Sequence, residues 1–191
     1  MKSLIPVLLL TGVIINNGYS QEIKNHPKIH FIYSASVGFS HIEIGGPIVT
    51  VAPQSSISIP NLKFGVKLGK HSAVALMLPG TVYTDYSTDR HQSRGFEGIV
   101  PVFQYWPVKN LWLVAGAGLG LDAPAFYDIK SDDERKFYFG TTSLVGAGYE
   151  FWHKGKFALD IQSRIRMGSV NKPDGECFGF TADLMLGISR N

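Results

Sequence analysis

The chain has 191 residues, a length that suits one domain and is short for two. Charged residues make up 17%, and 18 Lys plus Arg against 15 Asp plus Glu leave a net charge of only +3. The low charged fraction excludes a disordered, charged tail protein. Because no run of basic residues concentrates the net charge, the sequence gives no support to a nucleic-acid partner. Glycine (21 residues) and aromatic residues (12%) favour strands and turns.

The N-terminus has the order of an export signal. Met1 and Lys2 give a short positive start, and an apolar stretch runs from Leu4 to Ile15. Small residues stand three before and one before Gln21, in Gly18-Tyr19-Ser20. We therefore predict a signal peptide over residues 1–20, cleaved between Ser20 and Gln21.

The remaining sequence carries no run of apolar residues long enough for a transmembrane helix, which takes about 18 or more, so a helical membrane protein is excluded. Cys177 is the single cysteine, so no internal disulfide is expected. We expect Cys177 to pack as a small hydrophobe at a strand end.

Eight segments alternate between apolar and polar residues with a period of two, which predicts strands. The clearest segment sets Phe157, Leu159 and Ile161 against Asp160, Gln162 and Arg164. The predicted strands are Ile29–Ile44, Ile57–Leu68, Ser72–Asp85, Phe96–Trp106, Leu111–Leu121, Phe137–Trp152, Lys156–Met167 and Cys177–Ser189. The phases of the third and fourth stay open, and Pro79 and Pro101 predict bulges or irregular positions there.

The connections alternate in length. Tight turns are predicted at 69–71, 107–110 and 153–155, and longer polar links at Gly45–Ser56, Tyr86–Gly95, Asp122–Lys136 and Gly168–Glu176. In an up-and-down meander this order places every short turn at one end and every long loop at the other. The predicted fold class is therefore all-β, an eight-stranded antiparallel up-and-down transmembrane β-barrel, because the strands are long enough to cross a bilayer.

The two faces of the strands differ in chemistry. One face carries Phe, Leu, Val and Ile, and the other combines glycine with charge, which fits a barrel with its apolar face on lipid and its polar face inside. The side chains predicted to form a charge network inside the barrel are Lys63, Lys67, Glu150, Asp160, Arg164, Arg166 and Asp183. Such a network is a salt-bridged packed core or, alternatively, a gated pathway for ions or water.

Aromatic residues cluster near the strand ends, where membrane barrels place girdles of amphipathic rings. The predicted girdle at the short-turn, periplasmic end is Tyr105, Trp106, Trp112, Tyr149, Phe151 and Trp152. The outer girdle would draw on Phe126, Tyr127, Phe137, Tyr138, Phe178 and Phe180.

The export signal, the alternating strands and the glycine-rich segments 114–120 and 145–149 resemble the small eight-stranded outer-membrane β-barrel family of OmpX and the OmpA membrane domain. The resemblance implies a location in the outer membrane of a Gram-negative bacterium, with a short periplasmic segment at 21–28 and the barrel at 29–191. It implies contacts with outer-membrane lipids and lipopolysaccharide, and with the barrel-assembly machinery during insertion. It further implies a non-enzymatic structural or adhesive role with no cofactor and an unidentified surface partner.

Two other functions stay open at this stage. A soluble periplasmic, lipocalin-like barrel would bind an apolar ligand in its cavity. An outer-leaflet lipid-modifying enzyme would use rim residues such as His41 with Glu43, or His91 with Ser93 or Asp89. His26 and His30 lack a completing carboxylate or cysteine cluster, so no metal site is predicted. The mixed-charge loop 122–136 would contact lipopolysaccharide through divalent cations, contact a host surface, or lie in solvent.

Overall fold

The computed structural model describes residues 30–46, 50–59, 61–86, 91–129, 131, 135–173 and 175–190. The predicted signal peptide with its cleavage site, and the segment 21–28, lie outside these residues. The elements are β1 Phe31–Gly45, β2 Thr50–Ser58, β3 Asn61–Lys67, β4 Ser72–Asp85, β5 Gln92–Val108, β6 Leu111–Pro124, a 3-10 turn Phe126–Asp128, β7 Tyr138–Lys154, β8 Phe157–Lys172 and β9 Gly175–Arg190.

The strands close into a ring. Each of the strands from β3 to β9 pairs antiparallel with the next, and β9 pairs with β1 from Tyr33↔Arg190 to Gly45↔Phe178. Because β2 and β3 both pair with β1, the nine strands occupy eight positions in the wall. The eight-stranded antiparallel up-and-down barrel predicted from the sequence is confirmed.

The predicted second strand begins much earlier than the sequence indicated and is divided in two. β2 starts at Thr50, inside the predicted link Gly45–Ser56, and the break falls between Ser58 and Asn61. Pro60 in the sequence cannot donate a ladder hydrogen bond, which is a physical reason for a break there. The register on β1 changes by one residue across it, from Gly38↔Ser58 to Ala35↔Leu62.

The first half of this divided strand, β2, is joined to β4 by side chains. The Gln54 carboxamide accepts from the Thr84 N–H at 2.9 Å and donates to the Thr84 carbonyl at 3.2 Å. Ser56 Oγ donates to the Val82 carbonyl, and Ser58 Oγ donates to the Gly80 carbonyl at 3.1 Å. We call this junction the β2–β4 seam, because no backbone ladder joins β2 to β4 among the described residues.

The three tight turns are confirmed, between β3 and β4, between β5 and β6 and between β7 and β8. The predicted long link Gly168–Glu176 is wrong, because β8 continues to Lys172 and β9 begins at Gly175. The polar sequence of this segment predicts a loop. The strand alternation nevertheless continues, because Val170 and Cys177 point inward and Asn171 and Glu176 point outward. Gly175 has φ 125°, a conformation that favours glycine.

The structure settles the phases of β4 and β5. Ala73, Ala75 and Met77 face inward on β4, and Val100 and Val102 on β5. Pro79 and Pro101 mark irregular positions, as predicted, because the β4–β5 ladder is interrupted at Leu78 and Pro79 and the β5–β6 ladder at Val100 and Pro101. They are not bulges, because the register is the same on both sides of each interruption. Register shifts occur instead on β1, near the β5–β6 turn and near the β7–β8 turn, at positions 42–44, 105–108 and 150–152.

The apolar face of the strands points outward. Outward side chains that are at least 40% exposed recur all round the wall: Val37, Phe39, Phe64, Leu76, Ile99, Phe103, Leu113, Val145, Ile161, Ile165, Leu184 and Leu186. Buried Lys, Arg, Asp and Glu lie on the inner face.

No helix among the described residues is long and apolar enough to span a membrane.

Candidate functional site: the barrel interior

Near the short-turn end, inward charges of β3, β7 and β8 meet aromatic and amide side chains. Lys63 Nζ donates to Gln104 Oε1 at 2.8 Å and lies 4.7 Å from the centroid of the Trp112 ring. Glu150 accepts from Trp106 Nε1 at 3.3 Å and lies 2.7 Å from His153 Nε2. These contacts hold Lys63 and Glu150 in place. They satisfy buried charges with dipoles and ring faces.

Three other members of the predicted network lie nearby. Asp160 accepts a hydrogen bond from Gln162 Nε2 on the same strand. Lys67 is half-buried at the end of β3, with its ammonium 5.2 Å from the Trp106 ring centroid. Asp183 on β9 accepts from Ser40 Oγ on β1, across the pairing that closes the barrel.

The assignment of Trp106 and Trp112 to the outward girdle is wrong. Their exposed fractions are 6% and 1%, and both lie inside against the lysines of β3. Gly148 on β7 makes room, because a Cβ at that position would collide with the Trp112 ring. Each ring fills lumen volume and offers its face to a lysine ammonium, which favours its inward orientation.

The two arginines of β8 lie deeper in the lumen and are bound mostly to neutral groups. Arg166 donates to the carbonyls of Pro79 and Phe96, each at 2.9 Å, and to Thr81 Oγ1 at 3.1 Å. Its guanidinium also lies 4.7 Å from the Phe96 ring centroid. Arg164 donates to Ser36 Oγ at 3.2 Å and to Met185 Sδ. Both arginines therefore link β8 to other strands of the barrel wall.

A third polar group, not predicted from the sequence, lies inside the barrel close to the long loops. Asp122 of β6 lies 2.7 Å from Arg94 Nε and 2.8 Å from Lys172 Nζ, and it accepts from the Tyr83 hydroxyl at 2.8 Å. Lys172 also lies 3.5 Å from Asp85 Oδ2. We call these five residues the rim network. It joins β4, β5, β6 and β8 across the mouth of the lumen.

The sequence feature that predicts the rim network is the alternation of inward and outward residues, which continues past the predicted ends of the strands. Arg94, Asp122 and Lys172 keep the inward phase of Phe96, Gly120 and Val170, but they fall in segments whose polarity predicted loops. Tyr138, placed among the outer-girdle aromatics from sequence, faces the same network, with Arg94 and Lys172 at 5.2 and 5.4 Å from its ring centroid. That assignment of Tyr138 is also corrected.

Two apolar clusters also lie inside the ring. The one nearer the short turns includes Ile32, Val100, Trp112 and Leu144, and the one nearer the long loops includes Phe96 and Cys177, which is buried as expected. Both clusters lie on the inner face that a lipocalin-like barrel would keep open for an apolar ligand.

The other predicted girdle residues lie on the outer surface. Tyr105, Tyr149, Phe151 and Trp152 are exposed at the short-turn end. Phe126, Tyr127, Phe137 and Phe178 are exposed at the other end, where Phe126 and Tyr127 meet edge to face with centroids 5.4 Å apart, and Phe180 is partly exposed.

Those candidate enzyme residues that the structure describes do not come together as a catalytic set. His41 Nε2 lies 3.1 Å from Glu43 Oε1, but this pair points outward from β1. The His91 ring packs edge-on against Tyr86, and the Ser93 N–H donates to Asp128 Oδ2 at 2.7 Å. Asp89 and His26 lie outside the described residues. Within the described part of the chain, no group of three or more His, Cys, Asp or Glu is placed to hold a metal ion.

No protein-family model matches this chain, and no curated protein matches it in sequence. Solved structures do match this chain. Neisserial surface protein A is 15% identical, with 85% of this chain and 97% of that chain covered and a TM-score of 0.54. The attachment invasion locus protein Ail of Yersinia pestis is 16% identical, with 83% and 97% covered and a TM-score of 0.49. OprG of Pseudomonas aeruginosa is 10% identical, with 83% and 94% covered and a TM-score of 0.43.

At 15% identity the similarity to Neisserial surface protein A concerns the fold, and it agrees with the ring closure and the strand count of this chain. The chain therefore has the eight-stranded up-and-down fold of the small outer-membrane β-barrels.

Proposed function

We propose that the chain is a non-enzymatic integral outer-membrane β-barrel of a Gram-negative bacterium, with a packed polar interior and a structural, adhesive or other surface-interaction role. The observation that carries this proposal is the inside-out distribution of polarity. Lys63, Glu150, Arg164, Arg166 and Asp183 are buried inside the ring, whereas large apolar side chains are exposed round its outer wall.

The exposed apolar belt supports the membrane location. Along β9 it runs from Phe178 through Leu184 and Leu186 to Ile188. A contiguous apolar surface of this extent is unfavourable in water, but hydrocarbon solvates it. The ring closure pairs most strand edges by backbone ladders, and side chains bond to the β4 backbone at the β2–β4 seam. The signal peptide predicted over residues 1–20 would supply the route of export that such a location needs.

The filled lumen supports a structural or surface role over transport. The rim network spans the mouth of the barrel, and the two apolar clusters occupy space below it. Phe126 and Tyr127, exposed beside the long-loop end of β6, are available for contact with lipopolysaccharide or another surface. Outer-membrane lipids along the wall and the assembly machinery during insertion are the partners that this role requires.

The first test is gel mobility of the membrane fraction with and without boiling, together with fractionation of the cell envelope. We expect an SDS-resistant folded species in the outer membrane that shifts on boiling. Recovery of the protein in the soluble periplasmic extract, with no shift, contradicts the proposal.

The packed interior is tested separately by conductance of the purified barrel in planar bilayers. We expect no stable conducting state for the unmodified chain, because side chains fill the lumen. Regular single-channel steps would contradict a packed interior while leaving the membrane location intact.

A further inference from the structure

The short-turn end of the barrel exposes basic side chains and, among the residues that the structure describes, no acidic ones. The two acidic side chains nearest to this end, Glu150 and Asp160, point into the lumen and are 3% and 1% exposed. At the long-loop end, by contrast, Glu43 and Glu176 are exposed. We call the exposed cations of the short-turn end the basic collar: Lys70, Lys109, Lys154, Lys156 and Arg190.

Three members of the basic collar converge on one groove of the outer surface. Lys154 and Lys156 stand on either side of Gly155, whose φ of 63° forms the tight turn between β7 and β8. Arg190 lies beside them at the end of β9. The groove has a volume of about 750 Å³, and the rest of its described lining is uncharged: Trp152, Gly155, Phe157 and Ile188.

Aromatic and cationic side chains alternate in one row along this edge of the wall. Tyr33 of β1 pairs in register with Arg190, Arg190 pairs with Phe157, and Phe157 pairs with Lys154. The Arg190 guanidinium lies 5.9 Å from the centroid of the Tyr33 ring. Aromatic rings of membrane proteins lie at the level of the lipid headgroups, and long basic side chains extend from that level into the headgroup layer.

The next outward row, toward the long loops, is apolar. Trp152 pairs with Leu159 of β8, Leu159 with Ile188 of β9, and Ile188 with Ala35 of β1. A second groove, of about 300 Å³, lies on the β1 side of Arg190 and includes Ala35 and Ile188 in its lining. Cations at the edge of the wall and apolar grooves on both sides of Arg190 fit a molecule with an anionic head and apolar chains.

We propose that the groove at the β7–β8 turn binds an anionic phospholipid of the periplasmic leaflet. Its phosphate lies among Lys154, Lys156 and Arg190, and its acyl chains lie against Ile188 and the neighbouring apolar row. Basic pockets at a membrane surface bind anionic headgroups in this way. The inference rests on the proposed outer-membrane location, to which it adds a lipid class and a site.

Two features favour an anionic phospholipid over other occupants. Because the groove carries three cations, the ammonium of a zwitterionic headgroup would meet like charge there, whereas a headgroup with net negative charge would not. A free phosphate ion would gain nothing from Trp152, Phe157 and Ile188, because these side chains offer apolar surface only to an acyl chain.

The first experiment is native mass spectrometry of the folded chain in mild detergent with equimolar phosphatidylglycerol and phosphatidylcholine. We expect the chain to retain phosphatidylglycerol about tenfold better. Lys154→Gln with Lys156→Gln should lower phosphatidylglycerol affinity by about tenfold or more, because each cation near an anionic headgroup contributes to binding. The matched control is Lys70→Gln with Lys109→Gln, which removes two lysines of the basic collar outside the groove and should keep the preference.

Equal loss in the two double variants would mean that the general positive charge of this end attracts the lipid, and equal retention of both lipids by the unaltered chain would mean that there is no selective site. Either result overturns the proposal. Glycerol phosphate, which carries the phosphate without acyl chains, should not displace phosphatidylglycerol at equal concentration. Displacement would reduce the groove to a phosphate-binding patch and overturn the lipid as its occupant.

The second experiment places the chain in phosphatidylcholine vesicles that contain a brominated lipid, which quenches tryptophan on contact. Trp152 is exposed at the groove, whereas Trp106 and Trp112 are buried in the lumen. Brominated phosphatidylglycerol should quench more than brominated phosphatidylcholine at the same mole fraction. The difference should disappear in Trp152→Phe. Equal quenching by the two lipids in the unaltered chain contradicts the proposal.

Failure of this inference is distinguishable from failure of the proposed function. All variants are first checked for the shift of the folded species on boiling. A heat-modifiable barrel of the outer membrane without a preference for phosphatidylglycerol overturns only the lipid site. If the purified chain retains lipopolysaccharide instead, and Lys154→Gln with Lys156→Gln loses it, the groove faces the other leaflet and the proposal is wrong. A protein that never enters the membrane removes both proposals.

Discussion

The β8–β9 hairpin and the β2–β4 seam are two junctions of the same wall, built in different ways. β8 and β9 pair along their whole length, from Phe157↔Arg190 to Lys172↔Gly175, with no register shift. At the seam, Gln54, Ser56 and Ser58 reach the backbone of β4 with side chains, and the Gln54 carboxamide occupies the place of a neighbouring peptide group.

The comparison teaches that closure of a barrel does not require every junction to be a backbone ladder. In hydrocarbon each backbone polar group needs a partner, and amide and hydroxyl side chains can supply it. The seam nevertheless depends on a few flexible side chains, each of which loses rotamer freedom, whereas the ladder repeats at every residue. We therefore expect local opening to concentrate at the seam.

The largest expected effect comes from the rim network, which supports β4 from the lumen side. Asp122→Asn removes the carboxylate that pairs with Arg94 and Lys172, leaving buried cations with a lost partner, and should lower the free energy of unfolding by about 3–5 kcal/mol. Urea unfolding in vesicles, followed by tryptophan fluorescence, measures this loss.

The matched control for Asp122→Asn is Glu176→Gln, which removes an exposed carboxylate near the same end of the barrel and should change stability by about 0.5 kcal/mol or less. If Asp122→Asn is as mild as this control, the rim network does not stabilise β4.

The next largest effect on stability tests the lipid-facing side of the β8–β9 hairpin. Leu184→Arg places a charge near the middle of the exposed apolar stretch of β9 and should cost about 2–4 kcal/mol in the free energy of unfolding in vesicles. Asn171→Arg, on the outward face of β8 close to the rim, should cost about 0–1 kcal/mol. Equal costs at the two positions would show that the belt is not in hydrocarbon.

The smallest effect tests the seam itself. Gln54→Ala removes both hydrogen bonds to Thr84 and should lower the free energy of unfolding by about 1–3 kcal/mol, at about 0.5–1.5 kcal/mol for each bond. Amide exchange at Thr84 should accelerate more than exchange at Ile165, which lies in the β7–β8 and β8–β9 ladders.

Ser55→Ala, outward on the same strand, is the control for Gln54→Ala and should leave the Thr84 exchange rate unchanged in detergent micelles. Exchange that accelerates equally in the two variants would mean that the carboxamide does not substitute for a strand partner.

Much of the wall could be predicted because a strand in a membrane barrel has a local signature. The period of two in Phe157–Met167 separates apolar from charged side chains residue by residue. The same period in other strands put further charges on the polar face, and the structure buries Lys63, Glu150, Asp160, Arg164, Arg166 and Asp183. The strand order followed from the turn lengths, because short turns permit only antiparallel neighbours.

The ends of the strands could not be predicted by the same reasoning. Lys172 and Asp122 were predicted as loop residues. A polar strand end has the same local sequence whether its side chains face water or, as here, the lumen. Trp106 and Trp112 read as girdle residues for the corresponding reason, since aromatics occur at membrane interfaces and in packed cores alike.

The sequence by itself determined that this chain is a barrel with a polar inside, because the alternation of side chains along a strand is fixed by backbone geometry. The tertiary structure alone decided which charges meet, that two tryptophans lie under the lysines of β3, and that Gln54 completes the wall beside β4. These outcomes depend on the stagger between strands that are distant in sequence, and the stagger appears in the chain only after the ring has closed.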